Sequence, residues 1–133
     1  MIRFLMISAI VFGLFSCASS HKATETGWSV KGFEAQVNNS HADWRRTGSL
    51  YGIQGVKDVF VKDNEWYDMY IRVNGKKITI QLNDKIVNEY TESENAQLTK
   101  VNEERLISSG TFALQGNDPN SKVLYKEVLL RVN

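Results

Sequence analysis

Cysteine, proline and histidine are nearly missing from this chain of 133 residues, which holds one, one and two of them respectively. A lone cysteine, Cys17, excludes an intrachain disulfide. His21 and His41 stand far apart and no CxxC or HxxxH is present, so the spacing offers no metal centre. Charge of one sign is missing too: 16 basic residues against 15 acidic ones leave a formal net charge of +1. The basic residues are scattered, with Arg45-Arg46 and Lys76-Lys77 as the doublets. Nucleic acid and other polyanions therefore have no electrostatic claim on the chain. Internal repeats and low-complexity segments are also lacking.

One apolar run stands out, from Phe4 to Phe15, preceded by Arg3 and followed by small residues around Cys17. It is shorter than the ~20 apolar residues a bilayer-spanning helix needs, and it has the form of a secretory signal. Leu14-Phe15-Ser16-Cys17 resembles a bacterial lipobox, with Phe15 bulkier than the usual residue there. The expectation is a lipoprotein signal peptide over 1–17 with Cys17 as lipid acceptor, a tether over 18–26, and one domain over 27–133. The alternative for Cys17 is a buried thiol. A lipid anchor would place the protein at the bacterial cell envelope, in the periplasm or at the outer membrane.

The body of the chain alternates with period two. Tyr67, Met69, Ile71 and Val73 fall on one face, and Trp66, Asp68, Tyr70 and Arg72 on the other. Asn74-Gly75 is a hairpin signal, Ile78, Ile80 and Leu82 alternate after it, and Asn83-Asp84 marks a second turn before Lys85–Tyr90. Phe33, Ala35 and Val37 alternate with Glu34, Gln36 and Asn38. Ser49–Ile53, Phe112 with Leu114, and Val123–Val132 are further strand candidates. Pro119 fits a loop between the last two. Ser93–Leu106 is rich in Glu, Gln, Lys and Arg and reads as a helix or a long polar loop. The pattern predicts an all-β fold, an antiparallel β-sandwich.

Two segments combine strand alternation with groups suited to sugar hydroxyls. In Gly32–Gly52 these are Glu34, Gln36, His41, Asp43, Arg45, Arg46 and Tyr51; in Ser108–Val132 they are Gln115, Asn117 and Asp118. Glu34 and Gln36 share one strand face, aimed either at sugar hydroxyls or at solvent. His41 is a base suited to neutral pH, or an exposed turn residue. Asp43 with Arg46 reads as an ion pair bracing the 38–47 loop, Arg45 as a surface charge. Tyr51 either donates to an oxyanion and stacks on a sugar, or packs. Asp118 either meets a sugar or caps the turn before Pro119. Trp66 and Tyr70 form an aromatic platform or fill the space between sheets.

Three motifs, GFEAQVNNSHADWRRTGSLYG, DNEWYDMYIRVNGKKITIQLNDKIVNEYTE and SSGTFALQGNDPNSKVLYKEVLLRV, follow one another from Gly32 to Val132. Together they resemble the family once called DUF1080, now described as 3-keto-disaccharide hydrolase or 3-keto-glucoside 1,2-lyase/3-keto-2-hydroxy-glucal hydratase. The resemblance implies a concanavalin-like, LamG-type jelly roll and, for many members, export as lipoproteins. It implies an exported hydrolase or lyase that abstracts the C2 proton of a 3-keto-glycoside, expels the aglycone and hydrates the product. His41 and Glu34 would be catalytic; Gln36, Arg46, Tyr51, Gln115, Asn117 and Asp118 would bind substrate. No cofactor is named by the motifs. The sequence departs from the family at two points. Gly27–Lys31, an opening strand, joins the Gly-Phe-Glu motif almost directly, as if intervening strands were missing. Asn117 stands where many members have His. An incomplete sandwich would bare a sheet edge, through which a second copy would pair. The alternative to an enzyme is a non-catalytic carbohydrate-binding or degenerate LamG-like module.

Overall fold

Alternation decides the best-formed part of the molecule. In the computed structural model, which describes residues 2–7, 11–17, 32–40, 42–96, 105–116 and 122–131, the period-two stretches become two consecutive hairpins. They are β4 (Trp66–Asn74), β5 (Lys77–Leu82) and β6 (Lys85–Thr91), following β1 (Ile2–Ile7), β2 (Val11–Cys17) and β3 (Phe33–Val37). Strands β7 (Gly110–Gly116) and β8 (Lys122–Val128) complete the described set, in which there is no helix. The first hairpin turns at Gly75-Lys76 and not at Asn74-Gly75: Asn74 pairs with Lys77, and only Gly75 of the two loop residues takes positive φ (57°). The second turns at Asn83, which adopts φ 52° as asparagine can. Its amide N–H donates to Asp68 O at 2.7 Å, and its side-chain oxygen accepts from Asp68 N–H at 3.0 Å.

The strands form an antiparallel sandwich of two sheets, ordered β6-β5-β4-β1-β8 and β3-β2-β7. Between them lie Tyr67, Met69, Ile78, Ile80 and Leu82 of the larger sheet and Phe33, Ala35 and Val37 of the smaller, joined by Leu50 and Val61. Cutting one of the larger of these side chains back to alanine costs about 2–5 kcal/mol, the lost transfer energy plus the cavity left behind. Burial also pushes the Tyr67 phenol up, so it stays neutral inside the core, although a hydrogen bond with Thr47 acts the other way.

The stretch expected as a leader supplies β1 and β2, and each lies inside a sheet. Strand β1 pairs with β4 and β8; β2 pairs with β3 and β7. The tether and the Gly27–Lys31 strand expected from sequence lie outside the described residues.

Beyond β3 the smaller sheet is extended by a short backbone run. Gln36 N–H donates to Ser49 O (2.8 Å), Gly48 N–H to Gln36 O (2.9 Å) and Tyr51 N–H to Glu34 O (3.0 Å). The strand expected over 49–53 is therefore a bridge and a turn. Leu50 bridges Ala35 and Gln54, while Gly48 and Gly52, at φ 94° and 71°, break the extended run. Gly48 is required twice over, since a Cβ there would also meet Val87 Cγ2 at 2.5 Å. Asn88, buried on β6, ties this run to the larger sheet by donating to Gly48 O and Gln54 O, both at 3.0 Å. Of Ser93–Leu106, the described parts (93–96 and 105–106) are turn and irregular backbone, and the last strand stops at Val128 instead of Val132.

Candidate functional site

Residues opposite one another in an antiparallel pair share a face. Gln36 and Gln115 are both Cα partners of Phe12, and Glu34 and Ala113 of Leu14. The register thus puts Glu34, Gln36 and Gln115 on one face of β3-β2-β7, the face opposite Phe33, Ala35 and Val37. Two strand spacings separate the glutamines, roughly 10 Å. Each has a buried Oε1 that finds no donor among the described residues. Gln36 is only 1% exposed, so its unpaired acceptor carries a desolvation cost of about 1–3 kcal/mol until a donor arrives.

Around Glu34 the chain assembles a cationic and aromatic column. Glu34 Oε1 lies 3.5 Å from Arg105 Nη2, and Arg105 Nε donates to Gly32 O at 3.0 Å. Arg105 is 3% exposed, and its guanidinium stands 5.9 Å from the centroid of the Tyr51 ring. Arg45 stands 4.9 Å from the same centroid and 5.1 Å from that of Trp44, whose ring also carries Lys57 at 5.7 Å. Such contacts stabilise by about 0.5–1 kcal/mol each at exposed positions and more when desolvated.

The loop after β3 is pinned by side chains to backbone. Asn38 Nδ2 donates to Asp43 O (3.0 Å) and Arg45 O (2.7 Å), and Asn38 N–H donates to Thr47 Oγ1 (3.0 Å). Thr47 in turn donates to Asn39 Oδ1 at 2.7 Å, and Asn39 Nδ2 to Asp63 Oδ1 at 3.1 Å. The ion pair bracing this loop is Asp43–Arg45 at 3.1 Å and not Asp43–Arg46; Arg46 Nη1 donates to the backbone oxygen of Asp43 at 3.2 Å. Two residues along a bent loop, Arg45 reaches the carboxylate with both its N–H and its guanidinium. Burial alone would push the Asp43 carboxyl up. The Arg45 backbone N–H and guanidinium, with the Gln36 amide, outweigh it and hold the carboxyl below its ordinary value.

Of the residues predicted from sequence, Glu34, Gln36, Tyr51 and Gln115 are placed around β3-β2-β7, Glu34 and Tyr51 being linked through Arg105. Arg46 serves the loop. His41, Asn117 and Asp118 lie outside the described residues. Cys17 ends β2, paired with Gly110. Two residues that matter were not singled out. Arg105 sits in a stretch with no periodicity, 71 positions from Glu34. Glu92, buried at the end of β6, pairs with Lys76 and accepts from Ile107 N–H at 2.6 Å, which fixes the segment bearing Arg105. Neither leaves a local signal. Chemically, the face offers a carboxylate beside a guanidinium, a phenol between two cations and two unclaimed amide oxygens.

A family model described as a 3-keto-alpha-glucoside-1,2-lyase-like domain matches residues 9–131. No curated protein matches the chain. Two crystal structures from Parabacteroides distasonis ATCC 8503, each with a provisional glycosyl hydrolase name, have similar folds. One shares 23% identity over 94% of this chain and 72% of its own, with a TM-score of 0.70. The other shares 15% over 92% and 68%, with a TM-score of 0.65.

Proposed function

Because the chain belongs to the 3-keto-alpha-glucoside-1,2-lyase-like domain family, we propose that it acts on 3-keto-glycosides at the outer face of β3-β2-β7. The single observation that carries this reading is the pair of unclaimed, buried amide oxygens of Gln36 and Gln115 in one register row beside Glu34. Among the described residues they are acceptors without donors, and sugar hydroxyls are donors. A ketone at C3 acidifies the C2 hydrogen, since the resulting carbanion delocalises into the carbonyl. Glu34 takes that proton. The negative charge moves to the C3 oxygen, where the Arg105 guanidinium and the Tyr51 hydroxyl stabilise it. Its return expels the C1 oxygen with its bonding electrons, and that oxygen takes the proton now held by Glu34, so the aglycone leaves as an alcohol and the carboxylate is restored. Water then adds across the new double bond to give the free 3-keto sugar. Proton transfer of this kind is typically worth ~10²–10⁴ in rate. His41 is a second candidate for the base.

We propose export separately, with lipid on Cys17 holding the protein at the bacterial cell envelope; a cut ahead of Cys17 would remove Phe12 and Leu14, through which the row of Gln36 and Gln115 is set, so the two proposals are tested apart. Metabolic labelling with a clickable fatty acid tests that element, and a label undiminished by Cys17→Ser would remove it.

Turnover is tested with a chromogenic 3-keto-glucoside and its unoxidised counterpart. Release from the first alone, lost in Glu34→Gln, is the expected result; release from neither overturns the reaction. One observation favours a second reading, a carbohydrate-binding module without chemistry: Glu34, Gln36 and Arg105 are buried, so a sugar must displace what covers them. Heat of binding without aglycone release would select it.

A further inference from the structure

Trp66 and Tyr70 do not fill the space between the sheets. They lie on the opposite face of β4, 48% and 43% exposed, while Tyr67 and Met69 between them point into the core. Four residues of strand put the two positions about 13 Å apart along a central strand. Among the described residues, neither ring stacks on another ring or carries a cation. The rings of Trp44, Tyr51, Phe60 and Phe33 all do one or the other.

The surroundings define what such rings would meet. Asp68 lies between them on the same face, Arg72 follows, and the β5 register sets Gln81 opposite Tyr70 and Thr79 opposite Arg72. Beyond these, Lys77 and Glu89 pair with each other at 2.6 Å. On β1 and β8 the register sets Arg3 opposite Asp68 and Glu127 opposite Arg3, one charge of each sign. The formal charges of Asp68, Arg72, Lys77, Glu89, Arg3 and Glu127 therefore cancel, which leaves no attraction for a polyanion. A carboxylate set between the rings breaks the patch that an apolar partner would require. What remains is exposed aromatic surface bordered by amide, hydroxyl and carboxylate groups, with one exposed aliphatic side chain, Ile86, beyond Gln81. That combination suits a ligand with apolar C–H faces and hydroxyl edges. We propose that the outer face of β4 and β5, centred on Trp66 and Tyr70, binds a neutral, extended polysaccharide. The site is separate from the reaction face, with the whole core between them, and does not depend on the proposed chemistry.

Affinity electrophoresis of the full chain through gels containing hydroxyethyl cellulose or xyloglucan tests this, with polygalacturonate as the anionic control. Retardation in a neutral gel is expected, reduced at least fivefold by Trp66→Ala and by Tyr70→Ala. Glu34→Gln should leave the retardation intact, and Trp66→Ala should leave 3-keto-glucoside turnover intact. Migration unchanged by all three polymers overturns the proposal, as does retardation by polygalacturonate alone. Loss in Glu34→Gln but not in Trp66→Ala assigns the binding to the other sheet and also overturns it. Sedimentation showing a dimer that Trp66→Ala dissociates would give the face to a second copy instead.

Discussion

The two sheets use their outer faces in opposite ways. On β3-β2-β7 the outward side chains of β3 are buried, and they are polar: Glu34 ion-paired to Arg105, Gln36 hydrogen-bonded to Asp43. On β4 and β5 the outward side chains are exposed or half-buried, and two of the exposed ones are aromatic. A buried polar layer is costly unless each group is matched, so its members are tied to distant segments. An open aromatic row makes no such demand on the fold. The contrast separates side chains that the fold itself holds in place from side chains that it leaves open.

Substitutions can break that contrast. Arg105→Met should have the largest effect, about 3–5 kcal/mol by denaturant unfolding, because it takes the cation away from the buried Glu34 carboxylate. The double variant Glu34→Leu/Arg105→Met should recover much of that loss, since no charge is left unpaired; a double variant as unstable as the single would show that packing, not charge, governs the site. Asn88→Leu should cost about 1–3 kcal/mol by removing the donor to Gly48 O and Gln54 O. Asp43→Asn sharpens the comparison through pH. The folded carboxyl titrates below its unfolded value, so its contribution is fully present above about pH 4 and fades as pH falls through the folded value. The gap between wild type and Asp43→Asn, about 1 kcal/mol or less for a partly exposed pair, should therefore close as pH falls below about 4 in thermal melts. Trp66→Ala and Tyr70→Ala should change stability least, within about 0.5 kcal/mol. A large loss from either would mean that the open face is structural after all.

How much of this could be read from residue order depends on the range of the interaction. The β4–β6 hairpins were legible because alternation and turn residues are local, and so was the sharing of one face by Glu34 and Gln36. Trp66 and Tyr70 were correctly separated from Tyr67 and Met69, but alternation cannot say which face turns inward. The Glu34–Arg105 pair was invisible: it joins residues 71 positions apart, one of them in an aperiodic polar stretch. Asn88 was invisible for a similar reason, since its carbonyl partners belong to another loop. The Asp43 partner was misassigned because both Arg45 and Arg46 are within reach and only the bend of the loop chooses. Strands β1 and β2 were hidden by composition. A continuous apolar run has no period to read and looks the same whether it crosses a translocon or pairs within a sheet.

Under the proposed export, that ambiguity would bear on the order of events in the cell. A peptidase cut ahead of Cys17 takes away all of β1 and all but the last residue of β2. Strands β4 and β8, and likewise β3 and β7, then face each other across a missing rung, each with a ladder of amides and carbonyls that no longer has a mate. On the proposed export, folding and maturation would compete for the same sixteen residues ahead of Cys17: whichever acted first on a newly made molecule would deny them to the other.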